Sequence, residues 1–151
     1  MDISTLSPQA LARACAEAMW KDDRATQHLD MTLDLDQVGP GTAVIHMRIA
    51  ASMLNGHRTC HGGYMFTLAD SAFAFACNTY NQRTVAQHCS VSFLAPAFEG
   101  DILSATAREV SRTGRSGIYD VVIRNQNGAH IAEFRGLSRT IKGTLLPEAN
   151  P

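Results

Sequence analysis

A chain of 151 residues is long enough for one domain with a substantial core and too short for two ordinary ones. Hydrophobic residues make up 45% and charged residues only 18%, fewer charges than a small monomer displays, which points to self-association. A formal net charge of -1 excludes a global attraction to nucleic acid or to an anionic membrane, so neither is expected as a partner and an anionic ligand must be held by local charge.

The start, Met1 to Pro8, has neither the positive nor the apolar region of a signal peptide, which predicts a cytoplasmic protein. Ser7-Pro8 reads as an N-cap and first helical position, and Leu11, Cys15 and Met19 recur at helical spacing, so a helix is expected up to about Trp20, followed by a polar linker from Lys21 to Gln27. Met31 to Asp36 alternates as a strand does, Val38-Gly39-Pro40-Gly41 turns, and Thr42 to Ala50 forms a second strand with Ala43, Ile45, Met47 and Ile49 on one face. Cys15, Cys60, Cys77 and Cys89 lack paired spacing and read as reduced, buried thiols.

From Gly62 to Gln82 there is no Lys, Arg or Glu, and Asp70 is the only formally charged residue. A run this apolar on every face is a buried helix, and its Thr67, Asp70, Ser71, Asn78 and Gln82 suit the inside of a protein better than lipid. Four alternating stretches follow, Thr84 to Leu94, Asp101 to Val110, Gly117 to Arg124 and His130 to Ile141, separated by turns at 95–100, 112–115 and 125–128. Short connections make antiparallel neighbours, and strands segregated from helices give an α+β domain. Residues 1–30 belong to this same domain as an N-terminal helix and linker, 31–143 form its body, and 144–151 read as a flexible tail.

A carboxylate inside an apolar helix is costly unless paired, bonded or protonated, so Asp70 is either a bonded structural residue or a functional one. Gly62-Gly63 opens the same helix with backbone N–H groups that no side chain obstructs, an end that attracts developing negative charge. Eight residues separate Gly62 from Asp70, roughly 12 Å along a helix axis, too far for one helix to bring both to one reacting atom. Two antiparallel helices meeting across a twofold would place the N-terminus of one near the middle of the other, giving two equivalent sites per dimer. Arg108, Arg112 and Arg115 around Gly114 are the densest basic stretch, either a solvated hairpin tip or an anion site. His57, Cys60 and His61 could be read as metal ligands, but the fourth ligand and the paired spacing are missing, so no metal is expected.

Asn55-Gly56-His57, His61-Gly62-Gly63, Leu68-Ala69-Asp70, Phe93-Leu94-Ala95-Pro96, Gly100-Asp101 and the Arg112 to Arg115 turn, in this order and spacing, resemble the hot-dog acyl-CoA thioesterases, particularly the phenylacetic acid degradation type. The resemblance runs from about Met31 to Gly143. It implies an antiparallel sheet wrapped around a long central helix, in homodimers that pair into homotetramers with composite active sites. It further implies that Gly62 N–H stabilises an oxyanion and that Asp70 of the opposite subunit is the catalytic carboxylate, as general base or by direct attack, with the general base taken here as the expectation. Asn55 would position water or thioester, and His61 would order the loop before Gly62 or bond near the thiolate. Arg112, Gly114, Arg115 and Ser116 would bind CoA, which enters as part of the substrate, so no cofactor is expected. Some relatives carry a Ser or Thr where Ala86 stands here, and none of Gln87, His88 and Ser90 takes that role on sequence alone. Tyr64, Phe66, Phe73 and Phe75 are either an aryl-binding surface or ordinary core, and the resemblance favours phenylacetyl-type or ring-hydroxylated aryl substrates.

Two other readings compete with hydrolysis. The same scaffold can serve as a non-catalytic acyl-CoA-binding module, against which Asp70 argues. A hydratase on it would pair a His with a carboxylate on the central helix, and no His occurs between Gly62 and Gln82.

Overall fold

The computed structural model describes residues 2–147. Helix α1 (Pro8–Asp22) starts as the sequence suggests, with Ser7 Oγ accepting from Ala10 N–H at 3.2 Å and Pro8 in the first turn. The expected polar linker is instead a second short helix, α2 (Arg24–His28). It has no apolar period to reveal it and rests on its cap, Asp23 Oδ1 accepting from Thr26 N–H at 3.1 Å, and on the complete burial of Thr26. The strand expected over 31–36 is only two residues long, β1 (Thr32–Leu33), because Asp34 accepts from Asp36 N–H at 3.2 Å and bends the chain into a single 3-10 turn over Leu35–Gln37. Strand β2 is Thr42–Arg48, with Ala43, Ile45 and Met47 buried.

The central helix α3 spans Gly62–Cys77. It stops short of the apolar run's end because Asn78 staples it to the next strand: its Nδ2 donates to Ala74 O and to Thr84 O, both at 2.9 Å, and its Oδ1 accepts from Thr84 N–H at 3.0 Å. Strands β3 (Thr84–Phe93), β4 (Ile102–Thr113), β5 (Ser116–Arg124) and β6 (His130–Thr140) complete an antiparallel sheet in the order β1-β2-β4-β5-β6-β3. Gly114, at φ +60°, takes the first place of the two-residue β4–β5 turn, where a side chain would be strained. Strand β4 runs three residues past the expected end through a bulge between Glu109 and Ser111.

The sheet curls around α3. Ala43, Ile45, Leu103, Ala105, Ala107, Val121, Ile123, Ala132 and Phe134 from four strands meet Leu68, Ala69, Ala72, Phe73 and Ala76 of the helix, all buried in one core. At Gly136 a Cβ would lie 2.7 Å from the Phe73 ring, so the strand must be bare there for the helix to seat. Cys15, Cys60 and Cys77 are buried free thiols and Cys89 is half-buried.

The two edges of the sheet differ. Strand β1 is too short to template anything, whereas β3 is ten residues long and exposed along nearly its whole length on both faces, with Val85 46% and Phe93 50% exposed. The tail is tied down further than its composition suggests: Arg83 Nε donates to Thr144 O at 3.1 Å, and Asn81 Oδ1 accepts from the N–H groups of Leu145 and Leu146 at 3.1 and 2.8 Å. Residues 148–151, the rest of the expected flexible tail, lie outside the described residues.

Candidate active site

The loop before α3 is built to deliver a helix start. Asn55 Oδ1 accepts from His57 N–H (2.9 Å) and Thr59 N–H (3.2 Å), and its Nδ2 donates to Thr59 Oγ1 (3.0 Å). The Asn55 carboxamide thus closes its own loop, and what it positions is the segment carrying His61 and Gly62. Two further bonds anchor that segment, Cys60 N–H to Ala97 O at 2.7 Å and His61 N–H to Met53 O at 2.8 Å.

His61 is the N-cap of α3. Its Nδ1 accepts from Gly63 N–H at 3.0 Å, which puts the ring hydrogen on Nε2, and its carbonyl accepts from Tyr64 N–H, also at 3.0 Å. The N–H of Gly62, the first residue of the helix, has no acceptor among the described residues. A free N–H at the positive end of a helix suits a developing oxyanion. A Cβ on Gly62 would stand 2.8 Å from the tip of the half-exposed Phe93 ring, so a side chain there must push that ring aside. Beside it lies an open groove of about 450 Å³ lined by Cys60, Met65, Phe93, Leu94 and Pro96, mostly apolar, with Thr59 also in its wall.

Asp70 sits mid-helix on the one face that the sheet leaves open: Gly63, Thr67, Asp70, Ser71 and Ala74 recur every three or four residues and none is fully buried. Burial alone pushes its carboxyl above the ordinary range. Among the described residues no hydrogen-bond donor or cation partners the Asp70 carboxylate, and desolvation is the sole cause of its shift. Its charge in turn raises the thiols of Cys77 and Cys89, after burial, placing the carboxylate toward the end of α3 and toward β3. The Cys60 thiol is pushed up by burial to about 11, which makes it a poor nucleophile near neutral pH.

Arg112, Gly114, Arg115 and Ser116 come together in the wall of one cavity of about 540 Å³ at the other end of α3, which Tyr80, Thr84, Thr140 and Lys142 also line. Sequence reasoning missed Lys142 and Tyr80. Only the register of the sheet reveals them, because Thr140 N–H reaches Arg115 O at 2.8 Å and so lays the end of β6 beside the β4–β5 turn. Arg108, in the same basic stretch, points elsewhere and pairs with Asp120 at 3.7 Å. Gln87 is the extra residue of a bulge in β3 between Ala86 and His88, and Ala86, Gln87, His88 and Ser90 are all exposed. Of the four aromatic residues considered for an aryl group, Phe73 and Phe75 are wholly buried core, while Phe66 and Tyr64 are only partly covered.

Comparison with known proteins identifies the family. The thioesterase superfamily matches residues 57–132, half of the chain. The chain is 44% identical over 134 residues to the acyl-coenzyme A thioesterase PaaI of Escherichia coli, covering 89% of this chain and 94% of that protein. It is also 30% identical to a putative esterase of Archaeoglobus fulgidus over 88% of this chain and 85% of the relative. The structure of the E. coli PaaI protein matches with a TM-score of 0.89 and 42% identity over 91% of this chain and 99% of that one. A PaaI variant from Thermus thermophilus matches with a TM-score of 0.75 and 33% identity over 79% and 100%. With its sheet wrapped around α3 and these likenesses over most of its length, the chain belongs to the thioesterase superfamily, as a hot-dog-fold member of the PaaI type.

Proposed function

We propose that this acyl-CoA thioesterase hydrolyses aryl acyl-CoA thioesters of the phenylacetyl or hydroxyphenylacetyl type to the free acid and CoA. The observation that carries the reading is the N–H of Gly62 at the start of a buried helix, without an acceptor among the described residues and beside a mostly apolar groove. The thioester oxygen accepts from Gly62 N–H. A water held by Asp70 attacks the carbonyl carbon and gives its proton to the carboxylate. The tetrahedral oxyanion collapses, the C–S bond breaks, and Asp70 returns the proton to the departing thiolate. Arg112, Gly114, Arg115 and Ser116 hold the phosphate-bearing part of CoA with guanidinium and backbone N–H groups.

The two catalytic groups belong to different chains. Within one α3 they stand roughly 12 Å apart along the axis. The open face of α3 and the exposed edge β3 adjoin, and an unprotected ten-residue edge is a template for a second strand. A second copy paired there covers both surfaces and brings its own α3 against this one. Pairing of dimers into a homotetramer extends the same reading.

Thiol release across matched aryl and alkyl acyl-CoA substrates is the experiment that tests the substrate class. Phenylacetyl-type substrates are expected to have the highest kcat/KM, and a preference for long alkyl chains would overturn the aryl reading. The pH profile is a second test. A general base works deprotonated, so kcat/KM should fall on the acid side through the raised value of Asp70, at higher pH than an ordinary carboxylate gives. Stability runs the other way: a carboxyl raised in the folded state contributes stability that is full below its unfolded value of 3.8 and lost as pH rises through the folded value. The difference in Tm between the wild type and Asp70→Asn should therefore change with pH in the opposite sense to activity.

A further inference from the structure

Glu109 is a carboxylate placed beside the cavity that is read above as the site for the phosphates of CoA. A negative charge there weakens anion binding unless it serves the cations around it. Its surroundings show what it serves. Glu109 Oε1 accepts from the Tyr80 hydroxyl at 3.0 Å and from the Tyr119 hydroxyl at 2.8 Å, and lies 3.7 Å from Arg112 Nε. The Arg112 guanidinium carbon in turn lies 3.4 Å from the centre of the Tyr80 ring. Tyr119 is 1% exposed, so one end of this network is fixed in the core, and the other, Arg112, stands in the cavity wall.

The bulge in β4 makes the arrangement possible. In a regular strand residues three apart point to opposite faces. The shift between Glu109 and Ser111 takes one residue out of the alternation and brings Arg112 to the side of Glu109. Packing from behind confines the carboxylate as well: a Cβ on Gly41 would lie 2.8 Å from Glu109 Cβ and 3.0 Å from the Tyr80 hydroxyl. Stacking occupies the face of the guanidinium and the Glu109 carboxylate attracts it from the Nε side, while the terminal nitrogens have no acceptor among the described residues. A long arginine that would otherwise sample many rotamers is held ready for an anion.

We propose that Glu109 is a positioning residue for the CoA site, fixing Arg112 on the Tyr80 ring so that its terminal nitrogens meet a phosphate of the substrate. This rests on the reading of the Arg112 to Ser116 cavity as the CoA site. The test compares phenylacetyl-CoA with phenylacetyl-pantetheine, which carries the same thioester without the nucleotide, in the wild type, Glu109→Gln, Arg112→Ala and the double variant. Glu109→Gln should raise KM for phenylacetyl-CoA about fivefold to tenfold, the size of one charge-assisted contact, with kcat little changed and KM for phenylacetyl-pantetheine unmoved. The double variant should be no worse than Arg112→Ala alone, because Glu109 acts through Arg112.

Equal effects of Glu109→Gln on both substrates, no effect on either, or additivity in the double variant overturns the proposal. If Arg112→Ala fails to separate the two substrates, the reading of the cavity itself falls. If Arg112→Ala separates them and Glu109→Gln does not, only the role of Glu109 falls. Should Glu109→Gln not fold, Tyr80→Leu, which removes the ring beneath Arg112, must give the same separation, and its absence is equally fatal.

Discussion

Asp70→Asn is expected to lower kcat for aryl acyl-CoA hydrolysis by about a thousandfold, within the range that general acid–base groups supply. The amide has the size and shape of the carboxyl but cannot take a proton from water, so substrate binding should survive and KM should move little. The variant should also be at least as stable as the wild type near neutral pH. Asp70 has no hydrogen-bond donor or cation among the described residues, and burial raises its carboxyl, so a neutral group at this position removes a burdened charge and breaks no bond. Thiol release and thermal melting on the same preparation separate the two outcomes. Loss of activity together with loss of Tm would return Asp70 to a structural role, and unchanged activity would remove it from the mechanism.

How much of this was legible in the sequence differs from element to element. The central helix was plain, because no Lys, Arg or Glu interrupts 62–82 and Asp70 stands alone in it. Its cap was not, since His61 lies outside the usual set of Ser, Thr, Asp and Asn, and only the geometry shows Nδ1 taking the Gly63 N–H and leaving that of Gly62 free. Strand β3 was recognisable by alternation, but its place at the edge, which leaves it exposed on both faces, depends on the order of the sheet. The bulges at Val110 and Gln87 have no sequence signature, although the first of them determines which face Arg112 occupies. Helix α2 escaped notice because five residues with one buried threonine give no periodic signal. The basic turn was visible as a cluster, and its partners Tyr80 and Lys142 were not, because they arrive from the ends of α3 and β6.

Whether the site is shared between two chains is open to a decisive experiment. Gly62→Pro removes one hydrogen-bond donor and leaves the helix intact: the residue is the first of α3, where proline is favoured, and His61 at φ -60° and ψ 132° already has the extended backbone that a following proline requires. The ring must displace Phe93, whose side chain is half-exposed at the end of β3 and free to swing. Alone, Gly62→Pro should lose about a hundredfold to a thousandfold in kcat, the effect of one missing oxyanion donor. When Gly62→Pro and Asp70→Asn chains are unfolded together in equal amounts and refolded, half of the dimers are mixed, and each mixed dimer contains one site with an intact Gly62 from one chain and an intact Asp70 from the other. Activity should therefore recover to about a quarter of the wild-type value, the statistical share of intact sites in a twofold dimer. A site contained within one chain predicts no recovery at all, because every chain in the mixture then carries its own lesion. The spacing along α3 leaves no third outcome: either the carbonyl is shared between two helices, or one of the two groups does not touch it.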